Sequence, residues 1–274
     1  MALKLMYITK DPAVAAIAEK NGVDRIFIDM EYIGKAKRQG GMDTVQLHHT
    51  PEDVRCMRSC LKKAALFVRC NPIHEAADGC TSSTEEIEAV IGAGADIIML
   101  PFFKTAQEVE TFLKLVGGRA RTSLLLETPE AVACIDEILK LPGIDEMFIG
   151  LNDLSLGYHK KFMFELLSDG TVEALAAKFH KKRMPFGFGG IAALGQGALP
   201  AERIIAEHYR LGSTAVILAR SFCNTAKVRD LQEVEKIFAA GVPAIRSWEK
   251  QVEDKFSFFR KNMEEIQRIT EMMK

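Results

Sequence analysis

The stretch TSLLLETPEAVACIDEILKLPGIDEMFIGLN, residues 122–152, decides the fold class. An apolar run ends in Glu127, helical spacing follows from Pro129, the chain turns at Pro142-Gly143, and a second apolar run begins at Glu146. Neither run alternates apolar with polar residues. That is the pattern of strands covered on both faces, as in parallel α/β sheets. The reading is strand, helix, strand.

The same unit recurs in both directions. LKLMYI (3–8), RIFIDM (25–30), ALFVRC (65–70) and DIIMLP (96–101) come before it, and MPFGFGGI (184–191) and STAVILARS (213–221) after it. Helical stretches lie between them. One ends at Asn21-Gly22, and one begins with Thr50 before Pro51, a cap followed by proline. STEEIEAVIGAG, TAQEVETFLKLVGG and the segments 171–183 and 200–211 continue the series. Eight such units in about 250 residues predict a (β/α)8 TIM barrel. An open doubly wound sheet is the competitor, but the first strand is not followed by a GxGxxG turn.

The barrel is expected to span residues 1–241, with 242–274 a helical extension. Ile245, Trp248, Val252, Phe256, Phe259, Met263, Ile266 and Ile269 recur every three or four residues. They predict one stripe of roughly 28 residues, about 42 Å long. Either this is one long helix, whole or broken, packed on its own barrel, or, since the stripe outlasts the barrel surface, its far half packs on a neighbouring subunit; the second is favoured and makes the protein a homo-oligomer.

Composition sets outer bounds. The 274 residues carry 36 Lys and Arg against 37 Asp and Glu, so no basic field points to nucleic acid or membrane partners. No apolar run is long enough to span a bilayer, and the amino terminus reads unlike a signal peptide. The six cysteines sit singly at 56, 60, 70, 80, 134 and 223 with no CxxC pair, which predicts free thiols and a cytoplasmic setting.

Barrel enzymes build their sites at the carboxyl ends of strands. Those ends carry Asp29 and Glu31, Arg69, Glu127, Asn152-Asp153, the glycines of GFGG (187–190) and Arg220-Ser221. Glu127 and Asp153 belong to adjacent strands, and two converging carboxylates repel unless a cation or proton sits between them. A divalent metal is the simplest solution, with Mg²⁺ or Mn²⁺ suited to all-oxygen ligation. The alternative is that one acid caps a loop and the other starts a helix. Arg69 suits a carboxylate or enolate oxygen, against the alternative of a structural salt bridge. GKAKRQGG (34–41) reads as a solvated loop, or else brings Lys35, Lys37 or Arg38 to an anionic substrate. The glycines near 187–197 offer backbone donors for a phosphate, or simply allow close packing.

VRCNP, IIMLPFFKTAQEVETF, LLLETPEAV and IDEILKLPGIDEMFIGLNDLS resemble the HpcH/HpaI aldolase and citrate lyase β-subunit family. The resemblance covers residues 20–160 well and 185–225 more weakly. It implies a TIM barrel with Glu127 and Asp153 as metal ligands. It also implies Arg69 as the clamp on a 2-keto acid or its enolate, with Leu151 and Asn152 beside it at the substrate. It further implies a dimer-based oligomer, such as a hexamer, in which the last helix packs on a neighbour. Aldolases of the family carry a histidine after the Asp-x-Glu of strand two, where this chain has Tyr32. They also carry a glycine- and arginine-rich insertion before strand five, of which only LVGGRART is present. Tyr32, His48, His49, His74 and His159 are the candidates to replace that histidine.

The expected function is a divalent-metal-dependent (class II) aldehyde-lyase. It would cleave a 4-hydroxy-2-oxo acid into pyruvate and an aldehyde, or run the reverse. Arg69, Asp29 and Glu31 are the catalytic candidates, with Asp29 or Glu31 positioning a water or acting as base. A citrate-lyase-like acyl-CoA or thioester enzyme is the alternative, and a silent metabolite-binding barrel a third.

Overall fold

The computed structural model describes residues 2–35, 49–77, 80–252 and 256–273. Its strands are β1 (Lys4–Ile8), β2 (Arg25–Asp29), β3 (Ala65–Arg69), β4 (Ile97–Leu100), β5 (Arg121–Leu126), β6 (Glu146–Ile149), β7 (Phe186–Ile191) and β8 (Ala215–Leu218). All are parallel, each pairs with its chain neighbour, and β8 pairs with β1 to close a (β/α)8 barrel. The register sets Asp29 of β2 directly against Arg69 of β3.

Inside the barrel the period of two along a strand governs everything. Met6, Phe27, Phe67, Ile97, Met99, Leu125 and Phe148 form an interior cluster. Two residues before Phe27 is Arg25 and two after is Asp29; two after Phe67 is Arg69, and two after Leu125 is Glu127. On β2 the inward-facing positions thus read charged, aromatic, then charged again, while β3 and β5 carry a charge only at the carboxyl end. The apolar layer fills the middle and the charges gather at the two ends.

The helices described are α1 (Pro12–Lys20), α2 (Pro51–Cys60), α3 (Ser83–Gly92), α4 (Ala106–Val116), α5 (Pro129–Ala133), α6 (Ile135–Ile138), α7 (Leu151–Gly157), α8 (Glu165–Ser168), α9 (Thr171–Lys181), α10 (Ala201–Leu211), α11 (Leu231–Val252) and α12 (Phe256–Met272). Thr50 caps α2 in a reciprocal box with Asp53, as the Thr-Pro start suggests. None is long and apolar enough to cross a membrane among the described residues.

Three expectations change. The helix read from 129 to 143 is two short ones, broken at Cys134. Asn152 and Asp153 do not end β6, which stops at Ile149; they stand in the first turn of α7. The tail is two helices, and a boundary at 242 falls inside α11, the barrel's eighth helix. Half of the stripe is buried within the chain, at Ile245, Val252, Phe259 and Ile266, while Trp248, Met263 and Ile269 are part-buried. On α12, the Asn262 side chain donates to the Arg203 carbonyl at 3.1 Å and to Glu207 at 3.1 Å. Thr270 donates to the Ser168 hydroxyl at 3.0 Å. The tail folds back onto α10 and α8.

Candidate active site

The carboxyl end of β2 and β3 carries a compact charge cluster. Arg69 Nε donates to Asp29 Oδ1 at 2.8 Å and one terminal nitrogen donates to Oδ2 at 2.7 Å, a bidentate pair made possible by their shared register. The other terminal nitrogen lies 3.3 Å from Glu31. Lys35 Nζ donates to Asp29 at 2.8 Å and sits 3.6 Å from Glu31. Two acids and two bases balance, and all but Arg69 are almost wholly buried. Burial works to raise the Asp29 carboxyl, but Arg69 and then Lys35 hold it well below the usual carboxylate range. Burial works against the Arg69 charge, and Asp29 and Glu31 raise its pKa further above normal.

This environment works against Asp29 as a base, because a carboxylate bound by two cations has little affinity for a proton. Asp29 instead positions Arg69, which rests over the Phe27 ring with its guanidinium carbon 5.7 Å from the centroid. Lys35, read from sequence as part of a solvated run, is a buried member of the cluster. Lys37 and Arg38 lie outside the described residues.

Glu127 is reached by a different route. It is buried, and its Oε1 accepts the Phe102 N–H at 3.0 Å. Phe102 has φ of +47°, a left-handed conformation unusual outside glycine, just beyond the end of β4. Gly150 lies against the other oxygen. A Cβ there would stand 2.7 Å from Glu127 Oε2, so only glycine lets the start of α7 come this close. Asp153 follows in the first turn of α7, where the helix amino terminus favours a carboxylate.

Glu127 and Asp153 line the same two cavities. One, of about 210 Å³, also has Arg69, Leu151, Asn152 and Gly190 on its wall. The other, of about 430 Å³, runs outward past Phe102, Thr128 and Leu156. The two acids are therefore neighbours on both cavities, and Arg69 shares the smaller one with them. Gly189, at φ of +54°, leaves room for the Leu151 side chain, which a Cβ there would meet at 2.8 Å. Gly187 packs against the Phe148 ring and the Ala215 carbonyl, where a Cβ would stand 2.6 Å from both, so close packing accounts for it.

Two hard oxygen donors on one cavity fit a Mg²⁺- or Mn²⁺-type ion, which binds through one or two carboxylates and keeps its other positions for water and substrate. Among the described residues no group of three or more His, Cys, Asp or Glu could hold a metal.

The histidine substitutes separate clearly. His49 is buried beside the cluster, and its Nδ1 accepts the Asp29 N–H at 3.0 Å. Burial lowers its pKa despite the nearby Asp29 charge, which favours the neutral ring that this hydrogen bond requires. Tyr32 donates from its hydroxyl to Cys80 Sγ at 3.1 Å, and that bond, with burial, pushes its pKa up to about 12. His74 is held in its own loop by the Pro72 and Thr81 carbonyls, each at 2.7 Å. His159 is exposed beyond α7, and His48 lies outside the described residues. Sequence reading passed over Asn71. Its side-chain oxygen accepts the N–H groups of Tyr32 and Ile33 at 2.9 and 3.0 Å, and its amide donates to Glu86. It ties the β2 and β3 exits together. The only advance signal was an asparagine directly before Pro72.

Comparison with known proteins bears on these residues. The family model described as HpcH/HpaI aldolase/citrate lyase matches residues 4–178. No curated protein matches the chain. Among solved structures, an HpcH/HpaI aldolase from Desulfitobacterium hafniense superposes with a TM-score of 0.61 at 14% identity, covering 89% of this chain and 93% of that one. An HpcH/HpaI aldolase/citrate lyase family protein from Burkholderia cenocepacia gives 0.60 at 14% identity, covering 85% and 95%. A citrate synthase variant gives 0.55 at 16% identity, covering 90% and 94%. At these identities the structures speak for the fold, and the family model, which matches well over half of the residues, speaks for descent. The chain belongs to the HpcH/HpaI aldolase/citrate lyase family.

Proposed function

We propose that the chain is a divalent-metal-dependent carbon–carbon lyase of the aldolase type, acting on a 4-hydroxy-2-oxo acid to yield pyruvate and an aldehyde, or joining them in reverse. The observation that carries the reading is the shared cavity, lined together by Glu127, Asp153 and Arg69. Glu127 and Asp153 would hold the cation, whose Lewis acidity supplies stabilisation for negative charge on a keto acid's oxygens. Arg69 adds a fixed positive charge at the oxygen that becomes the enolate, held there by Asp29 and Glu31 so that little reorganisation is needed.

In the cleavage direction the 4-hydroxyl gives up its proton, and its oxygen pair closes the aldehyde carbonyl. The C3–C4 bond breaks, its electrons form the enolate, and C3 then takes a proton to become the pyruvate methyl group. Leu151 and Asn152 flank this space and would contact the keto acid. Asp29 or Glu31 would position a water to take that proton; direct transfer to Asp29 is disfavoured by the two cations bound to it. A cytoplasmic setting is part of the proposal, supported by six cysteines that are all free thiols.

The test needs no knowledge of the aldehyde. Pyruvate in D₂O with Mg²⁺ or Mn²⁺ should lose its methyl proton signal only with the protein present, and the exchange should stop on chelation. Exchange that survives chelation, or none with any of several 2-keto acids, sinks the proposal.

A further inference from the structure

Met163 reaches the smaller cavity from outside the barrel frame. Among the described residues, every other one on that wall lies on a strand or within four residues of a strand's end. Met163 belongs instead to the loop between α7 and α8. Its unbranched side chain takes the place its backbone allows, and no barrel register fixes that backbone. The loop's own anchors decide where this wall stands.

Those anchors start at a buried acid. Glu165, the first residue of α8, accepts the N–H groups of Lys161 and Phe162 on its Oε1 at 3.0 and 2.9 Å. It thus draws in the two peptide groups just before Met163. The Phe162 and Phe164 rings, on either side of Met163 in the chain, meet edge to face with centroids 5.3 Å apart. Lys160 pairs with Asp169 at 2.8 Å and ties the start of the loop to the far end of α8. A helix of four residues is not stable alone, and α8 packs against α7, α9 and α12. From α12 the buried Thr270 donates to the Ser168 hydroxyl at 3.0 Å, and Ser168 donates to the Glu165 carbonyl at 3.0 Å. An unbroken line of hydrogen bonds therefore runs from the tail helix through Ser168 and Glu165 to the loop that carries Met163. A buried carboxylate that loses its donors is costly, so when α8 moves the loop moves with it.

We propose that α12 sets the position of Met163 along this line, with Glu165 as the positioning residue, and that Met163 limits the size of the keto acid the cavity accepts. The inference rests on the proposed aldolase reading for the ligand that Met163 meets. The positioning itself is independent of that reading.

Two measurements on the full chain test it. Labelling with methyl-¹³C-methionine gives a Met163 resonance, assigned by its loss in Met163→Leu. Thr270→Val removes the bond to Ser168 and keeps the shape; Glu165→Met removes the acceptor, and Glu165→Gln keeps an oxygen there. The Met163 resonance should shift or broaden in Thr270→Val and Glu165→Met, stay near wild type in Glu165→Gln, and leave Met57 of α2 unmoved in all three. The D₂O exchange assay with Mg²⁺ then compares pyruvate with 2-oxopentanoate, which is two carbons longer. Met163→Ala should lower the wild-type preference for pyruvate by about tenfold. Thr270→Val and Glu165→Met should lower it by about threefold or more, through KM rather than kcat.

A Met163 resonance unmoved in folded Thr270→Val and Glu165→Met overturns the positioning. A preference that Met163→Ala leaves intact overturns the size limit. Absence of exchange with every keto acid fails the aldolase reading and with it the size limit, and the methyl spectrum alone then decides whether the tail positions Met163.

Discussion

At the amino-terminal end of the barrel Arg25 and Glu146 meet across the interior in a bidentate pair, both bonds 2.8 Å, with each side chain 7% exposed. At the carboxyl end Asp29 and Arg69 form a pair of the same kind, at 2.8 and 2.7 Å. Both are products of the two-residue alternation that puts Arg25, Phe27 and Asp29 on one inward face. The difference lies in what surrounds them. The lower pair is closed over by the Phe27, Phe67 and Phe148 layer, and Arg25 also lies against the Phe67 ring. The upper pair borders open cavities and faces two further carboxylates, Glu127 and Asp153. Equal chemistry seals one end and, on the function proposed above, would serve a ligand at the other. Burial of a charge pair is therefore no sign of function by itself; open volume beside it is.

The comparison can be broken at either end. Glu127→Gln should give the largest effect, a loss of pyruvate exchange by about 10³-fold with little change in stability, read by the D₂O assay and by urea denaturation. Arg25→Met should do the reverse. Among the described residues it leaves the buried Glu146 only Arg121, 3.6 Å away, and costs about 3 kcal/mol of stability, while the exchange rate per folded molecule stays near wild type; the double variant Arg25→Met with Glu146→Leu should recover much of the loss. If the single floor variant halts exchange in protein that is still folded, the division between the ends is wrong.

A smaller effect concerns the wall between them. His208 is fully buried, stacked on Phe188 of β7 with centroids 3.7 Å apart, and Nδ1 pairs with Ser213 at 2.8 Å. Burial lowers its pKa from 6.5 to about 3. The unfolded chain thus takes up a proton near pH 6.5 that the folded chain refuses. Stability is full above that pH and falls below it, by about 1.4 kcal/mol per unit, or roughly 2 kcal/mol at pH 5. Urea denaturation at pH 7 and pH 5 measures this, and His208→Gln should flatten it. Smallest is Thr50→Ala, which removes the capping box of α2 and should cost about 1 kcal/mol in the same assay, with no change in activity.

Much of this was legible in the sequence because the barrel's grammar is local. Eight apolar runs predict eight strands, and Glu127 two residues beyond Leu125 must face inward once β5 is accepted. Cap signals at Thr50, Ser82 and Thr105 need only a few residues to read. What was not legible depends on partners distant in the chain. Arg25 and Glu146 are 121 positions apart, and nothing in RIFIDM reveals which acid Arg25 will meet. Lys35 sits in a basic run whose other members disguise it, and only closure against β2 and β3 buries it. Asp153 moved from strand to helix because Gly150 turns the chain where an apolar run still continues to Leu151. The tail broke for the same kind of reason. Its periodicity runs on without interruption, and nothing in it reveals that Asn262 of α12 will meet Arg203 and Glu207 of α10.

The central claim is that Glu127 and Asp153 together hold a divalent cation at the mouth. Mn²⁺ titration followed by electron paramagnetic resonance tests it without substrate or assay. Wild type should silence the free-ion signal at about one ion per chain, and Glu127→Gln and Asp153→Asn should each weaken binding by about 10²-fold or more. Binding of equal strength in wild type and both variants would contradict the account.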